Sequence, residues 1–342
     1  MNSDVYWIWF NDVRCLTLKQ KKNFLDALGS PRNIFEHSMY DDFTEQIDIK
    51  AWRKLHEEKD LEQAKRMDFK NKILGIKMIR ISDVKGYLDE VSYKQWPLIC
   101  YYRGNLSHVP SVAIIGTRKV SDQGEKYTEI LCDLYHDQGM RINTTLTEGV
   151  ELKAAKYCVD KKLSVNLFTS QSLETKYSSY KQDIVDQVLV EGAVITPFSV
   201  EDKQHKYAYV VRNRLMILWS EMIFLAEAHI NSKVLSTIKL GSKYKKSIET
   251  ILGPSDSVKC GLNNFLIENN IASGLSVSLD EAYRVLSEHP LSQMLRSEPL
   301  TRDEIERQLQ SHNIDINELL LKLEMEQIIV YKSDGKWHYN GW

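Results

Sequence analysis

Residues 111–124 read SVAIIGTRKVSDQG, in which an apolar run ends at a glycine and a polar segment follows. A short apolar run of this kind indicates a buried strand, and the apolar spacing of residues 127–135 indicates a helix that begins near Ser121. Backbone N–H groups in such a strand-to-helix turn face an anion. Because Arg118 and Lys119 add positive charge there, the segment predicts an anion-binding turn. The alternative is an ordinary turn with incidental basic residues.

The alternation of strand and helix continues from residue 140 to residue 252. The predicted strands are apolar almost throughout, which is typical of a parallel sheet whose two faces are covered by helices. We therefore predict an α/β protein with a Rossmann-like parallel sheet as its core. The further predicted strands lie at 140–142, 163–168, 193–198, 222–228 and 248–252, and the helices between them lie near 150–160, 184–190, 210–218 and 233–240.

The C-terminal segment carries its own start and turn signals. A capping box at 301–304 and a second helix start at 315–318 are followed by a hairpin turn at Asp334-Gly335. Two helices and a hairpin are typical of a winged-helix domain. Since this segment is rich in acidic residues, we expect it to contact protein or support the structure rather than bind DNA. The predicted domains are a helical domain similar to SAM or helix-hairpin-helix domains at 1–95, the Rossmann-like core at 96–278, and the winged helix at 279–342.

The charge of the chain is nearly balanced. Its 342 residues include 45 lysines and arginines against 47 aspartates and glutamates, so the formal net charge is −2 and any nucleic-acid site must be local. The five cysteines are scattered singly without metal-binding spacing, which indicates reduced thiols and a cytoplasmic protein without a metal. We expect no signal peptide, and the apolar zone at 215–228 is too short and too interrupted for a membrane helix.

A second cluster of basic residues lies at 203–214, where four cations and two tyrosines occupy twelve residues. Basic side chains interleaved with aromatic rings suit single-stranded nucleic acid, because phosphates take the charges and unstacked bases take the rings. The alternative is structural: Arg212 and Arg214 would pair with a buried carboxylate such as Glu227.

These elements together resemble the DNA processing protein A family, also called DprA or Smf. The resemblance covers nearly the whole chain, and its specificity comes from the order and spacing of the elements rather than from any one of them. The matching residues are Arg103-Gly104-Asn105-Leu106, residues 112–118, Ser121, Gly124, Arg212-Asn213-Arg214, Glu227-Ala228, Ser232, Leu235, Thr237, Gly253, Gly261 and Asn263.

The resemblance implies a protein that binds and protects incoming single-stranded DNA and loads the RecA recombinase onto it during natural transformation. It also implies a homodimer formed through the Rossmann-like core, with no cofactor and no catalytic residue. In the family the arginine at the place of Arg118 contacts phosphate, and the positions of Lys206 and Tyr209 line the same pocket. The predicted DNA-binding residues are Arg118, Lys119, Ser121, Lys206, Tyr209, Arg212, Asn213 and Arg214, with Gly116, Gly124, Glu227 and Ser232 as structural support.

Three loops depart from the pattern of the family. The family's Ser-Gly-Leu-Ala-Arg-Gly-Ile-Asp segment reads TTLTEGVE at 144–151, which places Glu148 where the family has arginine. The loop at 168–173 contains no glycine, and Lys233 replaces another glycine of the family. Because close backbone approach to a phosphate needs such glycines, we expect a narrower or altered pocket.

Two other functions stay open at this point. A nucleotide-processing enzyme of the related lysine-decarboxylase-like superfamily would need a Pro-Gly-Gly loop followed by a catalytic glutamate, and the sequence has none. Release of ribose phosphate from nucleoside monophosphates would support that function. A nucleotide sensor or repurposed paralogue would be stabilised by its ligand, whereas a strand-binding protein need not be. The sequence contains neither the GxGxxG fingerprint nor a Walker A loop.

Overall fold

Strands and helices alternate through the central part of the chain, as the sequence predicts. The computed structural model describes residues 3–38, 48–107, 109–202, 205–253, 257–275, 298–309 and 329–339, together with Leu295, Leu320 and Glu324. The described helices are α1 (Ser3–Asp12), α2 (Leu18–Leu28), α3 (Pro31–Glu36), α4 (Ile49–Glu57), α5 (Glu62–Ile73), α6 (Ile81–Val84), α7 (Glu90–Gln95), α8 (Asp122–Asp137), α9 (Val150–Lys161), α10 (Ser179–Glu191), α11 (Ala208–Trp219), α12 (Leu235–Lys243), α13 (Gly261–Glu268) and α14 (Arg302–Leu309). The described strands are β1 (Lys77–Arg80), β2 (Ile99–Gly104), β3 (Ser111–Ile115), β4 (Arg141–Thr144), β5 (Val165–Phe168), β6 (Ala193–Thr196), β7 (Met222–Leu225), β8 (Ser247–Thr250), β9 (Ser273–Gly274), β10 (Ile329–Tyr331) and β11 (Trp337–Tyr339).

Nine of the described strands form one sheet in the order β1-β2-β6-β5-β4-β3-β7-β8-β9. The seven strands from β6 to β9 in this order run parallel, and this confirms the predicted α/β class with a Rossmann-like sheet. The remaining two differ from an all-parallel sheet, because β1 pairs with β2 and β2 pairs with β6 in antiparallel fashion. The sheet is therefore mixed, with an antiparallel edge.

Helices cover both faces of the sheet. Buried apolar side chains of α8, α9 and α10 form one cluster, and those of α11, α12 and α13 form another on the opposite face. The chain moves from β3 to β4 on one side and later returns to place β7 on the other side of β3. This arrangement creates a switch point between β3 and β7, and open α/β sheets bind ligands in the crevice outside the carboxyl ends of the strands at such a point.

The N-terminal helices pack on the same apolar cluster as α11. Helix α1 is buried on nearly all sides, with every residue from Val5 to Phe10 at most 8% exposed. Trp96 and Trp219 lie with ring centroids 5.4 Å apart, which joins the segment before β2 to the end of α11. The N-terminal helices thus share one hydrophobic core with this face of the sheet. The domain boundary near residue 95 stays a prediction.

The C-terminal residues that the structure describes contain two predicted features. Thr301 and Glu304 form the capping box of α14, with the Thr301 backbone N–H donating to Glu304 Oε2 at 2.7 Å. Strands β10 and β11 pair as an antiparallel hairpin around Gly335, whose φ is +76°, and this confirms the predicted hairpin. The predicted helix start at 315–318 lies outside the described residues.

None of the described helices is long and apolar enough to cross a membrane.

Candidate nucleic-acid interface

Two loops meet at the carboxyl ends of β3 and β4. The Thr117 backbone N–H donates to the carbonyl oxygen of Glu227 at 2.7 Å, and the Thr117 carbonyl accepts from the Val150 backbone at 3.1 Å. The close approach of these two loops requires a glycine in each of them. A Cβ at Gly116 would lie 2.4 Å from a methyl carbon of Val150. A Cβ at Gly149, whose φ is +93°, would lie 2.0 Å from the Thr117 carbonyl oxygen. The turn that carries Arg118 and Lys119 is therefore held by the segment after β7 and by the segment after β4.

The start of α8 is tied to the end of β7 through a carboxylate. Ser121 caps the helix by accepting from the Gly124 backbone N–H at 3.0 Å, and its own N–H and hydroxyl donate to Glu227 Oε2 at 3.2 and 2.5 Å. A Cβ at Gly124 would lie 1.8 Å from the same carboxylate oxygen. Glu227 is 2% exposed, so its side chain is held by these hydrogen bonds rather than by water. The alternative in which Arg212 or Arg214 pairs with Glu227 is wrong, because the carboxylate is taken up by the helix start.

Arg212 is a buried cation beneath the cleft. It is 6% exposed, and its guanidinium donates to the Phe168 carbonyl at 3.3 Å, to Thr147 Oγ1 at 3.4 Å and to Asn213 Oδ1 at 2.7 Å. Burial lowers the pKa of Arg212 to about 10, so it stays charged at neutral pH. Its guanidinium carbon lies 5.7 Å from the ring centroid of Tyr209. Arg212 therefore connects the loop after β4 and the end of β5 to the aromatic side chain of Tyr209 on α11.

A buried carboxylate faces these cations. Burial raises the pKa of Glu151 to about 7, and the positive charges of Arg212 and Arg118 only partly oppose that shift. Its Oε2 is buried and makes no hydrogen bond. The charge of the cleft therefore changes in the neutral pH range.

A cleft of about 820 Å³ lies between these elements and contains most of the predicted residues. Arg118 and Lys119 are exposed, and the ring of Tyr209 is 48% exposed. Asn213 lies behind them and donates to Thr237 Oγ1 on α12 at 3.0 Å. The predicted residues that line the cleft are Gly116, Arg118, Lys119, Tyr209, Arg212, Asn213, Glu227 and Ser232.

Four predicted residues lie outside the lining of this cleft. Ser121 and Gly124 lie behind it at the start of α8. Lys206 is exposed before α11, with its Nζ 4.9 Å from the ring centroid of Tyr207. Arg214 is half-buried, and its Nε makes no hydrogen bond. The roles in DNA binding of Lys206, Arg214 and the other predicted residues stay predictions.

Three basic residues of the cleft were not predicted as site residues. His229, Lys233 and Lys259 are exposed and line the same cleft from the far side. Lys233 is visible in the sequence only as the replacement of a family glycine. His229 and Lys259 carry no local signal, because their place in the cleft depends on how the segments after β7 and β8 fold back. Among the described residues, no group of histidine, cysteine, aspartate and glutamate side chains could hold a metal ion.

The class that the structure defines is an α/β protein with a Rossmann-like sheet and a basic, partly aromatic cleft at its switch point. The comparison with family models then gives the family: the model of DNA recombination-mediator protein A matches residues 80–286. The match covers more than half of the chain, and the chain belongs to this family. The resemblance found in the sequence is thereby confirmed.

Individual relatives are distant. The chain is 24% identical to Protein Smf of Synechocystis sp. over 166 residues, which is 47% of this chain and 42% of that protein. It is 22% identical to DNA processing protein DprA of Streptococcus pneumoniae over 159 residues, or 46% of this chain and 56% of that protein. The chain thus spans about half the length of the curated relatives it matches. The crystal structure of DprA from Streptococcus pneumoniae has a similar fold, with a TM-score of 0.59 and 18% identity over 84% of this chain and 98% of that one.

Proposed function

We propose that the cleft binds single-stranded DNA without breaking a bond in it. The observation that carries this proposal is the combination, in one cleft, of the half-exposed ring of Tyr209 with the exposed cations Arg118, Lys119, Lys233 and Lys259. Single-strand binding proteins use this combination, since the cations hold the backbone and the ring stacks on a base.

Each part of the cleft has a separate task in this proposal. Arg118, on the turn fixed by Gly116 and Gly149, contacts a phosphate. Tyr209 offers a face to one base, and stacking of this kind contributes about 1–3 kcal/mol per base. The buried Arg212 acts from below as a positioning residue, because its hydrogen bonds hold the loops while its charge lies under the Tyr209 ring. A duplex presents no free base face, so we expect a preference for single strands.

The substitution Arg118→Ala tests this proposal directly. We expect it to weaken binding of oligo-dT by about tenfold or more, since a charge-assisted contact to phosphate is lost. Fluorescence anisotropy with labelled oligo-dT measures the change. Arg66→Ala is the matched control, because Arg66 is an exposed arginine on α5, outside the cleft. Equal affinity of the wild type, R118A and R66A would contradict the proposal.

Lys206→Ala extends the same test beyond the cleft. Lys206 and Tyr207 are exposed next to Tyr209, so a strand that leaves the cleft along α11 would pass them. We expect K206A to weaken oligo-dT binding less than R118A does, by about two- to fivefold. An unchanged affinity in K206A would restrict the DNA site to the cleft.

We further propose that the protein delivers its strand to the RecA recombinase. The support is membership of a family described as DNA recombination mediators. In this proposal the protein protects incoming DNA during natural transformation and hands it to RecA. The test is RecA filament assembly on a coated single strand, which the wild type should accelerate and R118A should not. The proposal fails if both have no effect.

A homodimer formed through the Rossmann-like core is part of the same proposal. Exposed apolar side chains around β8, α13 and β9 support it, because apolar groups left in water often mark an interface. These residues are Leu252, Val258, Phe265 and Ile271, which are 40–67% exposed. Light scattering of the full chain should give twice the mass of the monomer, and a monomeric mass would exclude this dimer.

The C-terminal segment is proposed to form a winged-helix domain in a cytoplasmic protein. The capping box of α14, the hairpin of β10 and β11 and the bridge between Leu300 and Trp337 support the domain, since a winged helix adds its wing to a strand beside its helices. All five cysteines are free, which agrees with a reducing compartment. A solution structure of residues 279–342 tests the domain, and localisation of a tagged full chain tests the compartment.

A further inference from the structure

A cavity of about 190 Å³ lies at the edge of the sheet opposite the cleft, and we call it the amino-edge pocket. Pro110, Glu221 and Lys246 line it, and they directly precede strands β3, β7 and β8. These strands run parallel, so the pocket lies at their amino ends and the cleft at their carboxyl ends. Since β3 has five residues and a strand rises about 3.3 Å per residue, about 15 Å of sheet separates the two sites.

The walls of the amino-edge pocket are aromatic and apolar. The indole rings of Trp96 and Trp219 both line it, with centroids 5.4 Å apart and planes inclined by 34°. Tyr87 also lines it and is 75% exposed, so its ring belongs to the outer rim, and Leu88 and Leu218 add aliphatic lining. Sites for drug-sized ligands have volumes of about 300–1,000 Å³, so this smaller pocket suits a single apolar side chain.

Trp96 brings an unpartnered polar group to this pocket. Its side chain is 1% exposed, and its Nε1–H donates to none of the described residues. A buried indole N–H ordinarily has a hydrogen-bond partner. A ligand that places an acceptor here therefore satisfies a donor that is unsatisfied in the free protein.

The pocket carries more negative than positive charge. The charged side chains that line it are Asp89, Glu221 and Lys246. Burial lowers the pKa of Lys246, and the carboxylates of Asp89 and Glu221 oppose that shift, so the three groups form one electrostatic cluster. Asp89 is fixed as the cap of α7, where it accepts from the Ser92 backbone N–H at 2.8 Å. Two carboxylates against one ammonium favour a partner with a basic residue.

Three common ways of binding a peptide do not suit this pocket. A peptide cannot add as a strand, because β3, β7 and β8 each pair with a neighbour on both sides. An amphipathic helix needs a groove for several side chains along its length, and this pocket has room for one. A C-terminal carboxylate would be repelled by Asp89 and Glu221.

A proline-rich segment has the chemistry that these walls require. In the polyproline II conformation its rings pack on aromatic side chains. Its backbone carbonyls make no internal hydrogen bonds, so one of them can accept from an indole N–H.

We propose that the amino-edge pocket binds a proline-rich segment of a protein partner. A proline ring packs against Trp219 and Tyr87, a backbone carbonyl accepts from Trp96 Nε1–H, and a basic residue beside the prolines pairs with Glu221. Because the pocket and the cleft lie on opposite edges of the sheet, the protein can hold this partner and a DNA strand at the same time. The inference goes beyond the proposed function and does not require it.

The test uses a labelled oligoproline peptide with a lysine at each end, titrated with the full chain by fluorescence anisotropy. We expect saturable binding of the peptide, with the same affinity in the presence and absence of oligo-dT. Tyr87→Ala should weaken the binding by about fivefold or more, because an aromatic face is lost. Tyr180→Ala is the matched control, since Tyr180 is an exposed tyrosine of α10 outside the pocket, and it should leave the affinity unchanged.

Trp96→Phe tests the hydrogen bond, because it keeps an aromatic ring and removes the N–H donor. We expect W96F to weaken peptide binding by about three- to tenfold. Trp7→Phe is the matched control, since Trp7 is a buried tryptophan of α1 that does not line the pocket. Melting temperatures of both variants distinguish a lost contact from a lost fold, and Y87A carries the test if W96F does not fold.

Four results would overturn the inference. The first is equal affinity for a peptide in which glycine and serine replace the prolines, because charge alone would then explain binding. The second is tighter binding of a lysine-flanked helical peptide of alanine and leucine. The third is displacement of the oligoproline peptide by oligo-dT, which would place the peptide in the cleft. The fourth is the absence of peptide binding, or equal affinity of the wild type and Y87A.

Discussion

Glu151 controls the charge of the cleft from beneath it. Its carboxyl pKa is raised to about 7 by burial, and the guanidinium groups of Arg118 and Arg212 are the charged groups that act on it. Above pH 7 the carboxylate offsets part of the positive potential that would attract phosphate. Below pH 7 the protonated group leaves both arginines uncompensated.

Binding should therefore strengthen as the pH falls. We expect the affinity of the wild type for oligo-dT to rise about three- to tenfold between pH 8 and pH 6, which is the scale of one partly screened charge near a phosphate. Glu151→Gln should bind at pH 8 as tightly as the wild type does at pH 6. Anisotropy titrations at three pH values measure both.

The same variant separates Glu151 from His229, which also lines the cleft. A pH dependence that persists unchanged in E151Q would assign the effect to another group. Stability gives a second readout: the folded state holds this proton more tightly than the unfolded state, so folding loses stability as pH rises from about 4.5 to 7. E151Q should accordingly raise the Tm at pH 8 and change it little at pH 4.

At the scale of residues, the sequence predicts which charged side chains belong to the site better than it predicts which of them are buried. Arg118 and Tyr209 stand in local patterns that suit phosphate and base, and both reach the cleft. Arg212 stands in the same kind of pattern but is buried, because its partners, the carbonyl of Phe168 at the end of β5 and Thr147 after β4, are more than 40 residues away in the chain. Contacts between residues so far apart in the chain are set by the fold, and no local sequence pattern predicts them.

At the scale of elements, the position of α8 depends on the absence of a side chain at Gly124. A Cβ at Gly124 would lie 1.8 Å from Glu227 Oε2. The carboxylate would have to move away from the Ser121 N–H and hydroxyl that it accepts from. The helix start and the turn that carries Arg118 would then lose their common anchor.

We expect Gly124→Ala to lower the free energy of unfolding by about 1–3 kcal/mol, because the site has no room for added volume. Gly86→Ala is the matched control, since a Cβ at Gly86 meets nothing within 4 Å, and it should change stability by less than about 0.5 kcal/mol. Urea denaturation of both variants measures the difference. Equal stability of the two variants would show that Glu227 does not hold the helix start.

The elements of the central sheet are largely predictable, and their pairing partners are not. Strands β3 to β8 follow from short apolar runs, and the hairpin of β10 and β11 follows from Asp334-Gly335. The antiparallel edge formed by β1 and β2 does not follow, because hydrophobic periodicity describes which faces are buried and says nothing about which neighbour a strand will choose.

At the scale of the whole molecule, the net charge of −2 hides an uneven distribution. Exposed cations at Arg118, Lys119, Lys233 and Lys259 line one cleft at the carboxyl edge of the sheet, whereas Asp303 and Glu304 lie in the first turn of α14. A local positive cleft on a neutral protein captures a strand only at close range, because exposed charges are screened beyond about 10 Å at moderate salt.

The salt dependence of strand binding tests this account most directly. Anisotropy should be measured with a single strand and a duplex of the same sequence at several salt concentrations, for the wild type and R118A. Four cleft cations predict a slope of about −2 to −3 in the logarithmic plot for the single strand, a decrease in steepness of about 0.7 in R118A, and affinity for the duplex at least about tenfold weaker. An affinity that does not change with salt concentration, a preference for the duplex, or the same salt slope in R118A as in the wild type would contradict a strand site in this cleft.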